Sequence, residues 1–146
     1  MLNELGIVPA LDWLGEEIGR AFGLKVTVAD DGQPKPLDQD ARSIVYRAVR
    51  ELLINVAKHA GTDAATVESE TRGNQMLIRV ADRGRGYSPA APVAGSPRGL
   101  GLISVRERLS LIGGKAEIGP NPGGGTLGLL AVPLASDQGP PRGPTP

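Results

Sequence analysis

The apolar pattern of this 146-residue chain predicts an α+β protein: a two-layer α/β sandwich with three main helices on a mixed, mostly antiparallel sheet. Three observations carry that expectation. Apolar residues recur at helical spacing in separate stretches, short β-prone runs lie between them, and two pairs of runs are joined by turn residues alone. Leu11, Leu14, Ile18 and Phe22 set the first helix at about 10–22, and the run from Lys25 to Ala29 follows as a short strand. Asp30-Asp-Gly-Gln-Pro-Lys-Pro36 reads as loop, and Asp38 as the N-cap of a long helix reaching about Ala60, stopped by Gly61. Strands at about 65–70 and 75–81 are joined by Thr71-Arg-Gly-Asn74, so they should be antiparallel neighbours. A Gly/Pro/Ser/Ala segment then runs to about Pro97 and leads into a third helix, about 100–111, capped by Gly113-Gly114. Two last strands, 115–118 and 126–133, flank a loop with three consecutive glycines, Gly123 to Gly125. Residues 1–135 are thus expected to form one domain, and the Gly/Pro-rich residues 136–146 a disordered tail.

Composition excludes several classes of function. Sixteen basic and sixteen acidic residues leave no net field to gather nucleic acid or to hold an anionic membrane surface. The lack of cysteine removes disulfides, thiolate metal sites and cysteine nucleophiles. Aromatic residues are scarce, which argues against a stacking platform for single-stranded nucleic acid. With no apolar run near 18 residues and no charged-then-apolar leader at Met1, the reading is of a soluble domain.

Chemistry concentrates in four places. In the run from Gln75 to Asp82 side chains alternate faces, so Met76, Ile78, Val80 and Asp82 share one side. An inward carboxylate costs several kcal/mol, about 2–7, unless something donates to it, and a ligand amine would serve. Asp82-Arg-Gly-Arg-Gly86 is equally readable as a plain turn, with Gly84 and Gly86 supplying positive φ. On the long helix Glu51, Asn55, Lys58 and His59 stand at offsets of four, three and four, on one side. Such a stripe suits polyphosphate: carboxylate and amide oxygen share a hydrated Mg²⁺, while ammonium and imidazole meet phosphate oxygens. A solvated helix face would look the same, with His59 facing the C-terminal dipole. Arg98-Gly-Leu-Gly-Leu102 is a glycine turn opening into a helix, a place for free backbone N–H groups to meet an anion, though without the P-loop or Rossmann pattern. Finally, Gly123-Gly-Gly-Thr126 brings a hydroxyl to the entry of the last strand, in what is also an ordinary hairpin turn.

The order of these pieces is similar to a known arrangement. Glu51-Leu-Leu-Ile-Asn-Val-Ala-Lys-His-Ala60 resembles the N box of histidine kinases, Asp82 to Gly86 their G1 box, and Gly99-Leu-Gly-Leu102 their G2 box. From about Leu2 to Leu134 the chain looks like the Bergerat-fold ATP-binding domain of a sensor kinase. Gly101-Leu-Ile-Ser-Val-Arg-Glu-Arg-Leu109 with Gly113-Gly114 is similar to the nitrate/nitrite-sensor subfamily. The resemblance implies ATP and Mg²⁺ as cofactors, with Asn55 holding the metal and Glu51 assisting its water shell or acting as base toward the receiving histidine. It also implies that Asp82 binds the adenine amino group, that Lys58 and His59 meet phosphates, and that Gly84 and Gly86 let the chain pass near the base. Gly99, Leu100, Gly101 and Leu102 would present N–H groups, and Thr126 would support the adenine end through water and Asp82. Residues 83–97, with Tyr87, would form a mobile ATP lid, and Arg98 would touch the phosphates on closure.

Implied partners are a dimerisation domain carrying the acceptor histidine, and a response regulator. Dimerisation belongs to that other domain, so this one is expected to be a cytoplasmic monomer with little turnover of its own, even where the parent is membrane-anchored. The single histidine, His59, lies inside the N box and is a poor acceptor. Two rivals share the fold: a stand-alone anti-sigma-factor serine kinase, and a degenerate ATP-binding adaptor. An ATP-driven clamp of the gyrase or mismatch-repair type would need further domains.

Overall fold

A computed structural model describes residues 6–59, 61–84, 97–122 and 124–135; for His59 and for 97–102 it describes the backbone only. The sequence order is α1 (Ile7–Phe22), β1 (Lys25–Asp30), α2 (Gln39–His59), β2 (Ala64–Arg72), β3 (Gln75–Asp82), α3 (Pro97–Ser110), β4 (Lys115–Pro120) and β5 (Thr126–Pro133). The tail after 135 and the stretch 85–96, which holds most of the expected lid, lie outside the described residues.

Helix α1 begins three residues before the expected Ala10. Pro9 does not break it, because the first turn needs no N–H there, and Ile7 adds a buried residue one turn before Leu11. At the other end Phe22, expected in the core, is 42% exposed. Helix α2 starts as its cap predicts: the Asp38 carboxylate accepts the Ala41 N–H at 2.8 Å. Its apolar stripe, Val45, Val49, Leu52, Leu53 and Val56, is buried throughout. Helix α3 closes on a Schellman motif, with Gly114 N–H on the Leu109 carbonyl (2.8 Å) and Gly113 N–H on that of Ser110 (3.1 Å).

The five strands form one sheet in the order β1-β2-β3-β5-β4. Only β1 and β2 run parallel, joined by α2 as the crossover that parallel neighbours require. β2 and β3 are antiparallel neighbours as expected, but the strand continues through Thr71 and Arg72, which pair with Met76 and Gln75, so the turn is Gly73-Asn74 alone; antiparallel β3–β5 and β4–β5 ladders complete the sheet. Met76, Ile78, Val80 and Asp82 all face the helices and are buried, so the period-two reading of β3 holds to its last residue. Opposite them on the same face lie Gly128, Leu130 and Val132 of β5. A Cβ on Gly128 would stand 3.2 Å from Leu52 Cδ1, so the missing side chain lets α2 lie close on β5.

Among the described residues no helix covers the other sheet face. It carries Glu68, Glu70, Leu77, Arg79, Lys115, Glu117 and Leu129 and holds a shallow cavity of about 590 Å³. Beside it the loop after β1 is tied down by Lys35, whose buried ammonium bridges Asp30 (2.6 Å) and Asp31 (2.5 Å). The hydroxyl of Ser69 also donates to Asp30, and the Thr71 N–H to Asp31, so the network binds loop to sheet.

Candidate functional site

The helix-facing side of the sheet ends at Asp82, 3% exposed. One carboxylate oxygen, Oδ1, accepts the N–H of Gly84 at 2.7 Å, which turns the chain out of the strand and fixes the carboxylate. The Asp82 side chain thus both opens a turn and remains an inward acceptor, although Gly84 does not take the positive φ expected of it. One residue beyond the last β3–β5 pair, Ala81–Leu127, Thr126 stands across from Asp82 on the same face. Its Oγ1 is buried without a hydrogen-bond partner among the described residues.

Two residues that sequence reasoning did not single out hold this strand end. Asn121 Nδ2 donates to the backbone carbonyl of Asp82 at 3.0 Å. Gly125 lies so close that a Cβ there would stand 1.9 Å from the same oxygen and 2.6 Å from Arg83 Cα. Both contacts join segments about forty residues apart, so no local pattern announces them; the one available signal was the glycine run before Thr126.

On α2, Asn55 follows Leu52 by three residues, and its Nδ2 is buried without a partner among the described residues. Glu51, four residues earlier, is partly exposed and Lys58 is exposed; His59 is the last residue of the helix. An unpaired buried amide costs about 1–3 kcal/mol, so Asn55 and Thr126 are both groups that a polar ligand would satisfy. Among the described residues no three His, Cys, Asp or Glu side chains gather as a metal cage. The donor set of one carboxylate and one amide instead suits Mg²⁺, which keeps several waters and takes substrate phosphates as ligands.

Helix α3 departs from expectation at its start. It begins at Pro97 rather than near Leu100, with proline in the first position, where its fixed φ suits a helix. The expected turn is therefore the helix's first turn. N–H groups at Arg98 and Gly99 remain outside the intrahelical ladder, whereas those of Gly101 and Leu102 fall within it. Gly86 and Tyr87 lie outside the described residues, as do the side chains of Arg98, Leu100 and Leu102.

Three helices on one face of a five-stranded mixed sheet, with buried unsatisfied polar groups at one strand end, define the class as a ligand-binding α/β sandwich. The chain belongs to the histidine kinase-, DNA gyrase B- and HSP90-like ATPase family, whose model matches residues 39–136. Among solved structures, the blue-light activated histidine kinase EL346 of Erythrobacter litoralis is 23% identical with a TM-score of 0.73; the match covers 91% of this chain and 42% of that one. The Acinetobacter baumannii histidine kinase AdeS is 16% identical, with a TM-score of 0.66, over 86% of this chain and 66% of that one. The ATP binding domain of PrrB from Mycobacterium tuberculosis is 25% identical, with a TM-score of 0.69, over 89% of this chain and 95% of that one. The chain therefore spans less than half of the first kinase and nearly all of the isolated PrrB domain. No helix among the described residues is long and apolar enough to cross a membrane.

Proposed function

We propose that the chain binds Mg²⁺-ATP and supplies its γ-phosphoryl group for autophosphorylation of a histidine on a dimerisation domain outside this sequence, in two-component signalling. The observation that carries this reading is the buried Asp82 carboxylate, oriented by Gly84 and facing the unsatisfied Thr126 hydroxyl. An adenine amino group is the donor that such an acceptor lacks, and Thr126 would complete that end of the site. Asn55 would hold Mg²⁺ through its amide oxygen, with Glu51 reaching the metal through water and polarising the acceptor imidazole. Mg²⁺-ATP supplies the phosphoryl group and neutralises its charge; the protein's part is to position it and to exclude water. Lys58, His59 and Arg98 would face phosphates, Gly84 and Gly86 would line the base, and the N–H groups at the start of α3 would meet phosphate oxygens. The run Gly101 to Leu109 with its Gly113-Gly114 cap supports the nitrate/nitrite-sensor type, with a response regulator as the downstream partner.

Calorimetric titration with ADP and ATP, each with and without Mg²⁺, tests the reading, with Asp82→Asn as control. Micromolar binding that Asp82→Asn weakens by about 1–3 kcal/mol for ATP, and much less for GTP, is the expected result. A folded domain that binds neither nucleotide would overturn the reading.

A further inference from the structure

Asn121 reaches from the β4–β5 turn to the strand end that carries Asp82. Toward β2 the Asp82 backbone is held by its ladder pair with Ala65. Toward β5 the ladder stops one residue short, at Ala81–Leu127. There the carbonyl of Asp82 takes the Asn121 amide instead of a strand N–H, so a side chain supplies the missing rung. The turn that presents this amide is stiff. Asn121 lies between Pro120 and Pro122, its N–H is bonded to the Gly125 carbonyl (2.9 Å), and its own carbonyl accepts the Gly124 N–H (2.8 Å). Gly125 then packs against the same peptide with no room for a Cβ. The Asp82–Arg83 peptide plane is thus held by an amide and by close packing, and that plane sets where the carboxylate points and where Gly84 must sit to donate to it.

We infer that Asn121 is a positioning residue for purine selection: by fixing the Asp82 carbonyl it holds the Asp82 carboxylate at the angle that accepts an adenine amino group. The inference rests on the nucleotide reading above. Without the amide the peptide can rotate, the Gly84 bond loosens, and the carboxylate loses the alignment that separates a donor at the purine 6-position from a carbonyl there. A merely structural role would weaken all ligands alike, or none.

The test compares ADP and GDP affinities of wild type, Asn121→Ala, the near-isosteric Asn121→Asp, which keeps the shape but loses the donor, and Asn121→Gln, which keeps the donor. The Gly84 amide resonance is followed in each. Expected are an approximately tenfold loss of ADP affinity in Asn121→Ala and Asn121→Asp, little change for GDP, a shifted Gly84 amide, and partial recovery in Asn121→Gln. If wild type is adenine-selective and both donor-less variants stay equally selective with the Gly84 amide unmoved, the inference alone falls. Equal losses for ADP and GDP overturn it too. Should wild type show no adenine selectivity, the nucleotide reading fails, and this inference with it.

Discussion

A carboxylate at the end of a strand can be held by its own side-chain bonds or by the backbone that carries it, and Asp82 uses both. Gly84 N–H fixes Oδ1, while Gly125 presses on the carbonyl with no space for a methyl group. Gly125→Ala would force a Cβ to 1.9 Å from that oxygen, at a φ of +93° that side chains seldom adopt. Overpacking costs about 1–3 kcal/mol and the left-handed conformation about 1–2, so the expected outcome is a loss of about 2–5 kcal/mol in urea denaturation. Nucleotide binding should be lost with it. Asn55 makes the contrasting prediction, because its buried amide already lacks a partner. Asn55→Ala should leave the urea midpoint nearly unchanged and remove the Mg²⁺ dependence of ATP binding, with adenosine affinity intact; calorimetry with and without metal separates these. At this scale period two alone put Asp82 on the inner face, and helical offsets set Glu51 beside Asn55. Asn121 and Gly125 were illegible because their meaning lies in contacts with a strand about forty residues away, which no local spacing encodes.

Elements were legible where their signals are local. Asp38 caps α2 as its position suggests, and Asp38→Ala should cost about 1 kcal/mol in a denaturation curve. The α1 and α3 starts each fall three residues before the expected position, and in each a proline lies within the first turn, where a helix accepts it. Tertiary charge pairing escaped the sequence reading altogether, since Asp30 to Pro36 looked like plain loop. Hydrogen bonds from the Lys35 ammonium and from the Gln33 and Thr71 N–H groups hold the Asp31 carboxyl down at about 2. For Asp30, burial alone would raise the value, but bonds from Lys35, Ser69 and Gly32 outweigh it and hold it low. Burial by itself would lower the Lys35 value, and the two carboxylates reverse that and raise it. Depressed carboxyls contribute stability above the unfolded value of about 3.9, and that contribution drains away as pH falls toward 2. A raised ammonium contributes fully below its ordinary 10.5 and is lost only above that. Stability should therefore be flat in this respect between about pH 4 and 10 and fall on the acid side. In Lys35→Met the pH 7 urea midpoint should drop and the acid slope between about pH 4 and 2 should flatten; an unchanged slope would mean that the network contributes nothing.

For the whole molecule, the proposed kinase reading raises the question of where the phosphoryl group would go. The single histidine of the chain is the last residue of α2, the helix that also carries Glu51 and Asn55. In-line transfer needs an acceptor that approaches the γ-phosphorus from the side opposite its leaving oxygen, and a residue on the same helix as the proposed metal-binding pair is poorly placed for that approach. On the proposed kinase reading the acceptor is therefore expected on another domain. With radiolabelled ATP and Mg²⁺ the domain alone should label negligibly. Added dimerisation domain from the parent kinase should become labelled, with the lability to acid and stability to base of phosphohistidine, and Glu51→Gln should slow that labelling by roughly 10²–10⁴-fold if Glu51 serves as base. An acid-stable label on a serine of an added anti-sigma antagonist would assign the chain to the serine-kinase branch of the same fold. Transfer to neither, by a domain that binds Mg²⁺-ATP tightly, would make it an adaptor whose conformation, rather than whose chemistry, answers to the nucleotide.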